Sequence, residues 1–318
     1  MSDPGNPAGL ASLRARLERP LTLRDLLVAR VRAARWWLLA DAALVVFGLV
    51  RGSAIWVAAG LVAALVPLAG AVVAAGPLAR HHRLQRLYAR GDWMAVRGLA
   101  ADLAGARSLP VGLEFDAALR LAGATAREQS VDEALAHVEP WRQRTATQPG
   151  VFDARTAALY LVAGDTTGHL AALSRAHSAA PADLRIALDL ALAQARFGSL
   201  EQAEQLLAPL VPAQVPAISR PTWLWATGLV QMRRTEPSTE ATLAQAVDAW
   251  LQRIEEPDSW VSLALCATDH AVALHQAGRD DEARERVAQV WPVLEAHATV
   301  PLLRMLEADS LLPPRPNT

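Results

Sequence analysis

The sequence predicts an all-α protein with two parts, a transmembrane helical hairpin and a solenoid of about six helical pairs that follows it. An uncharged run of 23 residues, 54–76, is long enough for a membrane-crossing helix. Beyond residue 90 the chain is rich in Ala, Leu, Arg and Glu, and apolar residues recur at intervals of three and four, which favours helices. Similar residues also recur around Gly164 and Gly198, which are 34 positions apart, and this indicates repeated helical units.

The hairpin is predicted over residues 33–79, with helices at 33–50 and 54–76 and a three-residue turn between them. About 20 apolar residues suffice to cross the hydrocarbon core of a bilayer as a helix. Tryptophans favour the membrane interface, and three of them lie at the ends of the pair, at Trp36, Trp37 and Trp56. The alternative is a hairpin buried inside a helical protein that does not cross a membrane.

Arginines flank the hairpin asymmetrically. Seven lie within residues 1–35 and four within residues 80–90, whereas the turn holds only Arg51. By the positive-inside rule, both termini are expected in the cytoplasm, and the sequence predicts a multi-pass protein of the bacterial inner membrane with the lipid bilayer as a partner. The apolar region is too long, and has too many polar residues before it, for a cleaved signal peptide.

Residues 1–32 form a basic, partly amphipathic segment. One helix face carries Leu10, Leu13 and Leu17, and Pro20 interrupts this pattern. Thr22 with Asp25 then resembles a capping box at the start of a second apolar stripe. Such a segment either lies on the anionic cytoplasmic leaflet or is an ordinary positive flank. The first nine residues are expected to be disordered.

Asp41 is an ionisable residue within the predicted membrane spans. It either reaches the interface or is protonated, or it makes a polar contact between copies of the chain. Two pairs of small residues in the second helix permit close packing, within the hairpin or between copies, and these are Gly60 with Ala64 and Gly70 with Ala74. Pro67 is expected to kink that helix.

The helical repeat domain is predicted over residues 80–298. From residue 91 onward the chain holds 19 Arg against 28 Asp and Glu, so it is acidic where the membrane flanks are basic. Around three glycines, Gly164, Gly198 and Gly278, the same residue types recur at matching offsets. Seven positions before each glycine there is an alanine: Ala157, Ala191 and Ala271. Nine positions after each there is a branched apolar residue: Leu173, Leu207 and Val287. Each glycine allows a turn between two helices, and such pairs bury their apolar faces by stacking.

This pattern resembles the tetratricopeptide repeat (TPR). One unit has Ala157, Tyr160, Gly164, Leu173, Ala176 and Pro181 in register, with His169 in place of the usual Ala. The next unit has Leu190, Ala191, Gly198, Ala203 and Leu207, with Gln194 in place of an aromatic residue, and weaker units lie around Gly91, around Ala134 and over 221–256. The resemblance implies a right-handed superhelix with a concave protein-binding surface.

The order of the parts, two membrane helices before helical repeats, is also similar to that of HemY-like bacterial inner-membrane proteins, which are associated with haem biosynthesis. That similarity is one of layout. It implies, as an alternative function, a subunit of a membrane enzyme complex.

The TPR resemblance implies that the first helix of each pair lines a groove. The positions that correspond to the lining are Arg185, Leu188, Leu192 and Arg196 in one unit and Thr268, Val272 and His275 in the last, with Ala154, Ala158, Leu161 and Val162 in an earlier one. Because these residues are mostly apolar and include two arginines, they suit an apolar or amphipathic helix of a partner protein. The alternative is that they only pack against neighbouring helices.

Residues 299–318 are predicted to form a C-terminal capping segment and a disordered tail. Their apolar stripe either caps the last pair or folds into the groove, and it consists of Val300, Leu302, Leu303, Leu306 and Leu311.

The composition excludes several classes of function. The chain has no lysine, which excludes a Walker A loop, a protein-kinase ATP site, a pyridoxal phosphate enzyme and a Ser-x-x-Lys acylase. Its one cysteine, Cys266, excludes an internal disulfide and a cysteine-based metal centre, and the net charge of −1 gives no basic field for nucleic acid.

No spacing of histidines suits a metal, so we expect no catalytic residue, cofactor or metal. The leading hypothesis is a membrane-anchored scaffold for protein–protein interactions. An enzyme or enzyme subunit and a structural component of a larger membrane complex are the other two.

Overall fold

The computed structural model describes residues 7–18, 35–104 and 111–313, without the side chains of 7, 8, 35–38, 64, 66–75 and 111. Within those ranges all regular structure is helical and no strand occurs, which confirms the predicted all-α class. The first helices are α1 (Pro7–Glu18), α2 (Arg35–Val50), α3 (Ala54–Arg90), α4 (Trp93–Ala104), α5 (Val111–Glu128), α6 (Val131–Val138), α7 (Pro140–Arg144) and α8 (Val151–Val162). The remainder are α9 (Thr166–Ala179), α10 (Leu184–Phe197), α11 (Leu200–Leu207), α12 (Arg220–Arg233), α13 (Thr239–Leu251), α14 (Trp260–Gln276), α15 (Asp280–His297) and α16 (Val300–Ala308).

Helices α2 and α3 form the predicted hairpin, and a tight turn at Arg51–Ser53 joins them. Glycines bring the two backbones close together: a Cβ at Gly60 would lie 2.7 Å from Val45 Cγ2 and 3.1 Å from the carbonyl oxygen of Asp41. Gly60 therefore serves packing within the hairpin. The predicted kink at Pro67 and the second small-residue pair, Gly70 with Ala74, depend on side chains that lie outside the described part.

Over the part of the chain that the structure describes, none of the helices combines the length and the apolar character needed to cross a membrane.

Helix α3 does not end where the predicted membrane span ends. It continues through Gly76 and Pro77 to Arg90, because the following residues are helix formers such as Leu, Arg and Gln. It stops at Gly91, which adopts φ 71° and donates its N–H to the carbonyl oxygen of Tyr88 at 2.9 Å. One continuous helix thus belongs both to the hairpin and to the first repeated pair.

Six consecutive helical pairs follow one another in the described chain, as the repeat pattern predicts. They are α3 with α4, α5 with α6, α8 with α9, α10 with α11, α12 with α13, and α14 with α15. At the predicted glycine turns, Gly164 and Gly278 adopt φ 82° and 76°, values that only glycine tolerates easily. The small residues Ala157, Ala172 and Ala176 are buried between α8 and α9, where they allow close packing.

Two departures from the TPR pattern have a local explanation. His169, where alanine is usual, donates from its Nδ1 atom to the carbonyl oxygen of Ala157 at 2.8 Å, since that oxygen can only accept. Gln194, where an aromatic residue is usual, accepts the backbone N–H of Ser199 through Oε1 at 2.9 Å. Gly198 adopts φ −127°, so this turn depends on the glutamine side chain and not on a left-handed glycine.

The array of pairs closes on itself. Helix α3 packs against α15 and against the 3-10 turn Pro257–Ser259, so the first pair meets the last. His297 Nε2 lies 2.8 Å from the carbonyl oxygen of Tyr88, and the two rings are in contact. Gln85 and Arg120 both donate to Oδ1 of Asp258, at 2.6 and 3.0 Å. The helical domain is therefore a closed ring.

Helix α1 covers the outside of this ring. Its leucines at positions 10, 13 and 17 are buried, and they join a core cluster with Trp250, Val290 and Val293. Arg90 donates to the carbonyl oxygen of Leu17, and Arg16 pairs with Glu255 at 2.6 Å. A lipid surface was one of the two alternatives for this stripe, and over this helix the stripe is covered by protein. Its continuation, with the capping box at Thr22, and the first six residues lie outside the described ranges.

Helix α16 caps the other side of the last pair. Leu306 and Leu311 are fully buried in a cluster with Leu274 and Leu294 of α14 and α15, and Leu302 and Leu303 pack against it. This segment packs against the last pair, and residues 314–318, the end of the predicted capping segment and disordered tail, are not among the described residues.

Candidate functional site

The ring encloses a cavity of about 490 Å³, here called the central cavity. The first helices of successive pairs converge on it from α3, α5, α8, α10, α12 and α14, and α13 and the 3-10 turn at Pro257 complete it. Sites for small ligands commonly have volumes of roughly 300 to 1,000 Å³. The cavity is therefore of a size to receive a ligand.

The structure brings some of the expected groove residues together here. Arg185, Leu188 and Leu192 lie on the wall of the central cavity, and so do Ala154 and Ala158. Because three of these follow one another at intervals of three and four along α10, they share the face of the helix that points inward.

Other expected groove residues lie elsewhere. Arg196 and Val272, with Leu161, line a second cavity of about 290 Å³ beside α16. Thr268 is fully buried and its hydroxyl donates to the carbonyl oxygen of Ala264, so it belongs to the core. His275 lies at the end of α14, where its Nδ1 atom is 2.8 Å from Asp280.

The second cavity contains part of the C-terminal segment. Leu302 and Met305 of α16 line it together with Leu265 and Met232, and the opposite wall holds Arg196. The segment thus packs against the last pair and also lines the second cavity.

The central cavity has many charges, and sequence reasoning missed most of them. It is lined by four arginines, Arg120, Arg155, Arg185 and Arg253, and four carboxylates, Asp116, Asp189, Glu256 and Asp258. Only the position of Arg185 was expected from the repeat pattern. Arg155 and Asp189 lie on α8 and α10, whose repeat pattern is clear, but they are not at the lining positions that the pattern supplied. Arg253, Glu256 and Asp258 lie between α13 and α14, and Asp116 and Arg120 lie on α5, where the pattern is weak.

A group here called the closure cluster, consisting of His81, Asp116, Arg120 and Asp258, joins the first pairs to the last. Oδ2 of Asp116 is 2.9 Å from Nε2 of His81, and Nη2 of Arg120 lies 3.5 Å from Asp116 and 3.0 Å from Asp258. Burial alone would raise the pKa of Asp116, but Arg120 and His81 hold that pKa well below its usual range. The Arg120 guanidinium also lies over the ring of Tyr88, 4.4 Å from its centroid.

Three other charged groups of the cavity have no such partner. Arg155 and Arg185 are exposed to the cavity and make no ion pair or side-chain hydrogen bond within the described chain. Asp189 likewise opens into the cavity, deep inside the ring of helices. Its enclosure raises its pKa to about 6, against the opposing effect of Arg185.

A buried network separates the two cavities. Asp269, on α14, accepts from Nη2 of Arg196 at 3.0 Å and from the indole Nε1 of Trp225 at 2.8 Å. Burial raises the pKa of Asp269, and the Arg196 guanidinium opposes that rise. Because one carboxylate ties α10, α12 and α14 together, Arg196 has a structural role here.

Asp41 lies on the face of α2 that packs against α3 and is 9% exposed, close to the Gly60 contact. Both expectations for it, a contact at the interface and a contact between copies, stay predictions.

The remaining candidates have no reactive arrangement. Cys266 is fully buried, and burial raises the pKa of its thiol well above the ordinary value. His81 is buried in the closure cluster, where it pairs with Asp116. Among the residues that the structure describes, no three His, Cys, Asp or Glu side chains converge as a metal site would require.

No protein-family model matches this sequence, and no curated protein or solved structure is significantly similar to it. What this chain can bind must therefore be argued from its own geometry.

Proposed function

We propose that this chain is a membrane-anchored, TPR-like scaffold that binds a partner protein at its concave side and is not itself an enzyme. The observation that carries the proposal is the convergence of the first helices of the pairs on the central cavity. Those helices present side chains that the fold does not use, among them Arg155, Arg185 and the exposed Ala158.

A TPR-like array is supported by the pairs themselves. Glycine turns at Gly164 and Gly278, with small residues at the α8–α9 contact, are what the repeat pattern requires. Contacts between the first and last pairs bring the concave side of the array around the central cavity.

A membrane anchor is supported by exposed apolar side chains on the hairpin. Most of the large apolar residues exposed in the described chain lie there, and they are Leu39, Leu44, Val46, Phe47, Leu49, Val50, Ile55, Trp56, Leu61, Val62 and Leu65. An apolar surface of this extent requires a bilayer or a protein partner. With basic flanks on both sides, we propose insertion into the bacterial inner membrane with both termini in the cytoplasm.

The size of the cavity limits what the partner inserts. One turn of α-helix rises 5.4 Å and is about 10–12 Å wide with side chains, which corresponds to roughly 500 Å³. The central cavity of about 490 Å³ therefore has room for about one turn. We propose that the end of an apolar or amphipathic helix of the partner enters it beside Leu192, which is partly exposed.

The test is crosslinking in intact membranes. A photo-reactive amino acid at Ala158, which faces the cavity, should link the chain to one partner protein, whereas the same group at Gln205, on the outer helix α11, should not. Leu192→Arg, which fills the cavity, should reduce the Ala158 crosslink at least tenfold, and Gln205→Arg should leave it unchanged.

Equal crosslinking from both positions, or a crosslink that Leu192→Arg leaves intact, would overturn the scaffold proposal. The anchor is tested in the same preparation, because a chain inserted by its hairpin stays in the membrane pellet after washing at alkaline pH. Release by that wash would overturn the anchor.

A further inference from the structure

The central cavity has four arginines and four carboxylates, but the chain's own ion pairs do not use them evenly. Arg120 is held by Asp116 and Asp258, and Arg253 pairs with Glu256 at 2.6 Å. That leaves Arg155 of α8 and Arg185 of α10 against the single carboxylate of Asp189. The cavity therefore has two unpaired guanidinium groups and at most one unpaired negative charge.

Arg155 lies at the centre of this arrangement. It is close enough to the carboxylates of Asp116, Asp258 and Asp189 to lower the pKa of each, yet it is beyond 4.0 Å from all of them. Arg185 is likewise near Asp189 without pairing with it. Two cations from adjacent pairs thus line the same cavity as Asp189, and neither is paired with it.

Such an arrangement is suited to an oxyanion. A guanidinium group presents a planar set of donors that matches carboxylate and phosphate oxygens, and its bonds to them are stronger where water is partly excluded. The wall of the cavity also includes Trp250, which is 7% exposed and whose indole Nε1 has no hydrogen-bond partner in the described chain.

We infer that the central cavity binds an organic anion, with its carboxylate or phosphate oxygens held between Arg155 and Arg185. This deepens the proposed function and rests on it for the choice of cavity. The anion is either a free small molecule or an acidic side chain on the inserted end of the partner. Both have the same recognition chemistry, and the volume of about 490 Å³ accommodates either.

The inference is tested with the purified full-length chain in detergent, by titration while following tryptophan fluorescence, because Trp225 and Trp250 line the cavity. The probes are inorganic phosphate, the five-carbon dicarboxylate glutarate, and an acetylated peptide of alternating Glu and Leu. Binding should weaken at least tenfold in Arg155→Gln and in Arg185→Gln. It should be unchanged in Arg175→Gln, whose arginine lies on the outer helix α9 and pairs with Asp153.

Arg155→Lys keeps the charge but not the planar donors, so it should retain weak binding and guards against misfolding of the glutamine variant. Response to phosphate or glutarate assigns a free anion, and response to the peptide alone assigns the partner's acidic side chain. If no probe binds, or if Arg155→Gln and Arg175→Gln bind equally well, the inference is wrong.

The two proposals fail separately. Loss of the partner crosslink at Ala158 with intact anion binding would remove the scaffold proposal and leave the anion site. If the Arg155→Gln, Arg185→Gln double variant keeps the crosslink and no anion binds, the anion site is removed and the scaffold proposal is left.

Discussion

At the scale of single residues, buried histidines limit stability in acid. Where α15 ends, His297 contacts the rings of Tyr88 and Trp93, and its Nε2 atom must donate to the carbonyl oxygen of Tyr88. Burial lowers the pKa of His297 to about 4, and burial lowers that of His270 to about 4 as well. Both rings are therefore neutral in the folded protein over a range where the unfolded chain binds protons.

The sign of the pH dependence follows. An unfolded histidine has a pKa of about 6.5, so the unfolded state binds more protons below that pH and the free energy of unfolding falls as the pH drops from 6.5 toward 4. At pH 5 the loss for His297 is about 2 kcal/mol. Asp189 opposes this, since its raised pKa gives stability that is lost as the pH rises through 6. Its effect is smaller because its side chain opens to cavity water.

His297→Gln should retain a donor to Tyr88 and remove the titrating ring. Urea unfolding at pH 7.5 and pH 5 should show a smaller difference between the two pH values in this variant than in the wild type. His275→Gln, at the exposed end of α14, is the matched control and should keep the wild-type difference. An identical pH dependence in His297→Gln and wild type would contradict the assignment.

At the scale of elements, the sequence predicts what is periodic and misses what is not. The turns within the pairs at Gly164 and Gly278 were predictable, because a glycine between two helical apolar stripes is typical of a turn. The stripe of α1 was equally visible, but its partner was not: a leucine face suits a lipid surface and a protein surface alike. Contact with α15, about 270 residues further along the chain, decides between the two.

The packing of α1 against the helical domain leads to a prediction about thermal stability. Leu13 is fully buried, and removing such a side chain costs about 2–5 kcal/mol, so Leu13→Ala should lower the melting temperature of the full chain by several degrees. Arg14→Ala, at a position whose side chain is 74% exposed, should change it little. Thermal unfolding in detergent measures both. A helix held only by lipid would give the opposite result, a weaker membrane association of Leu13→Ala with an unchanged melting temperature.

At the scale of the whole molecule, the contact between the first and last pairs changes how stability is distributed along the array. In an open array each repeat contacts only its neighbours, and stability is a sum of local terms. Here residues 81–120 meet residues 256–297, and the groups that join them follow no repeat, so neither the closure nor the charged cavity that it creates could be predicted from the sequence. The cavity exists because the first and last pairs are held together.

The closure cluster therefore makes a specific prediction. Arg120→Met removes the cation between Asp116 and Asp258, and the cost falls on Asp116, whose carboxylate is buried, because Asp258 is more than half exposed. Breaking a fully buried pair costs about 3–5 kcal/mol, which is the upper limit here. Because the loss falls on the contact between the two ends, hydrogen exchange should quicken in residues 81–90, 257–259 and 290–297 before it does in α10 and α11. Arg97→Met, which breaks the exposed pair with Glu128, should quicken exchange only locally. A uniform increase along all six pairs would mean that the ring unfolds as one unit and that closure is not a separate step. An increase confined to the two ends would mean that the ring opens while each pair stays folded, which is the motion by which a ligand could enter the central cavity.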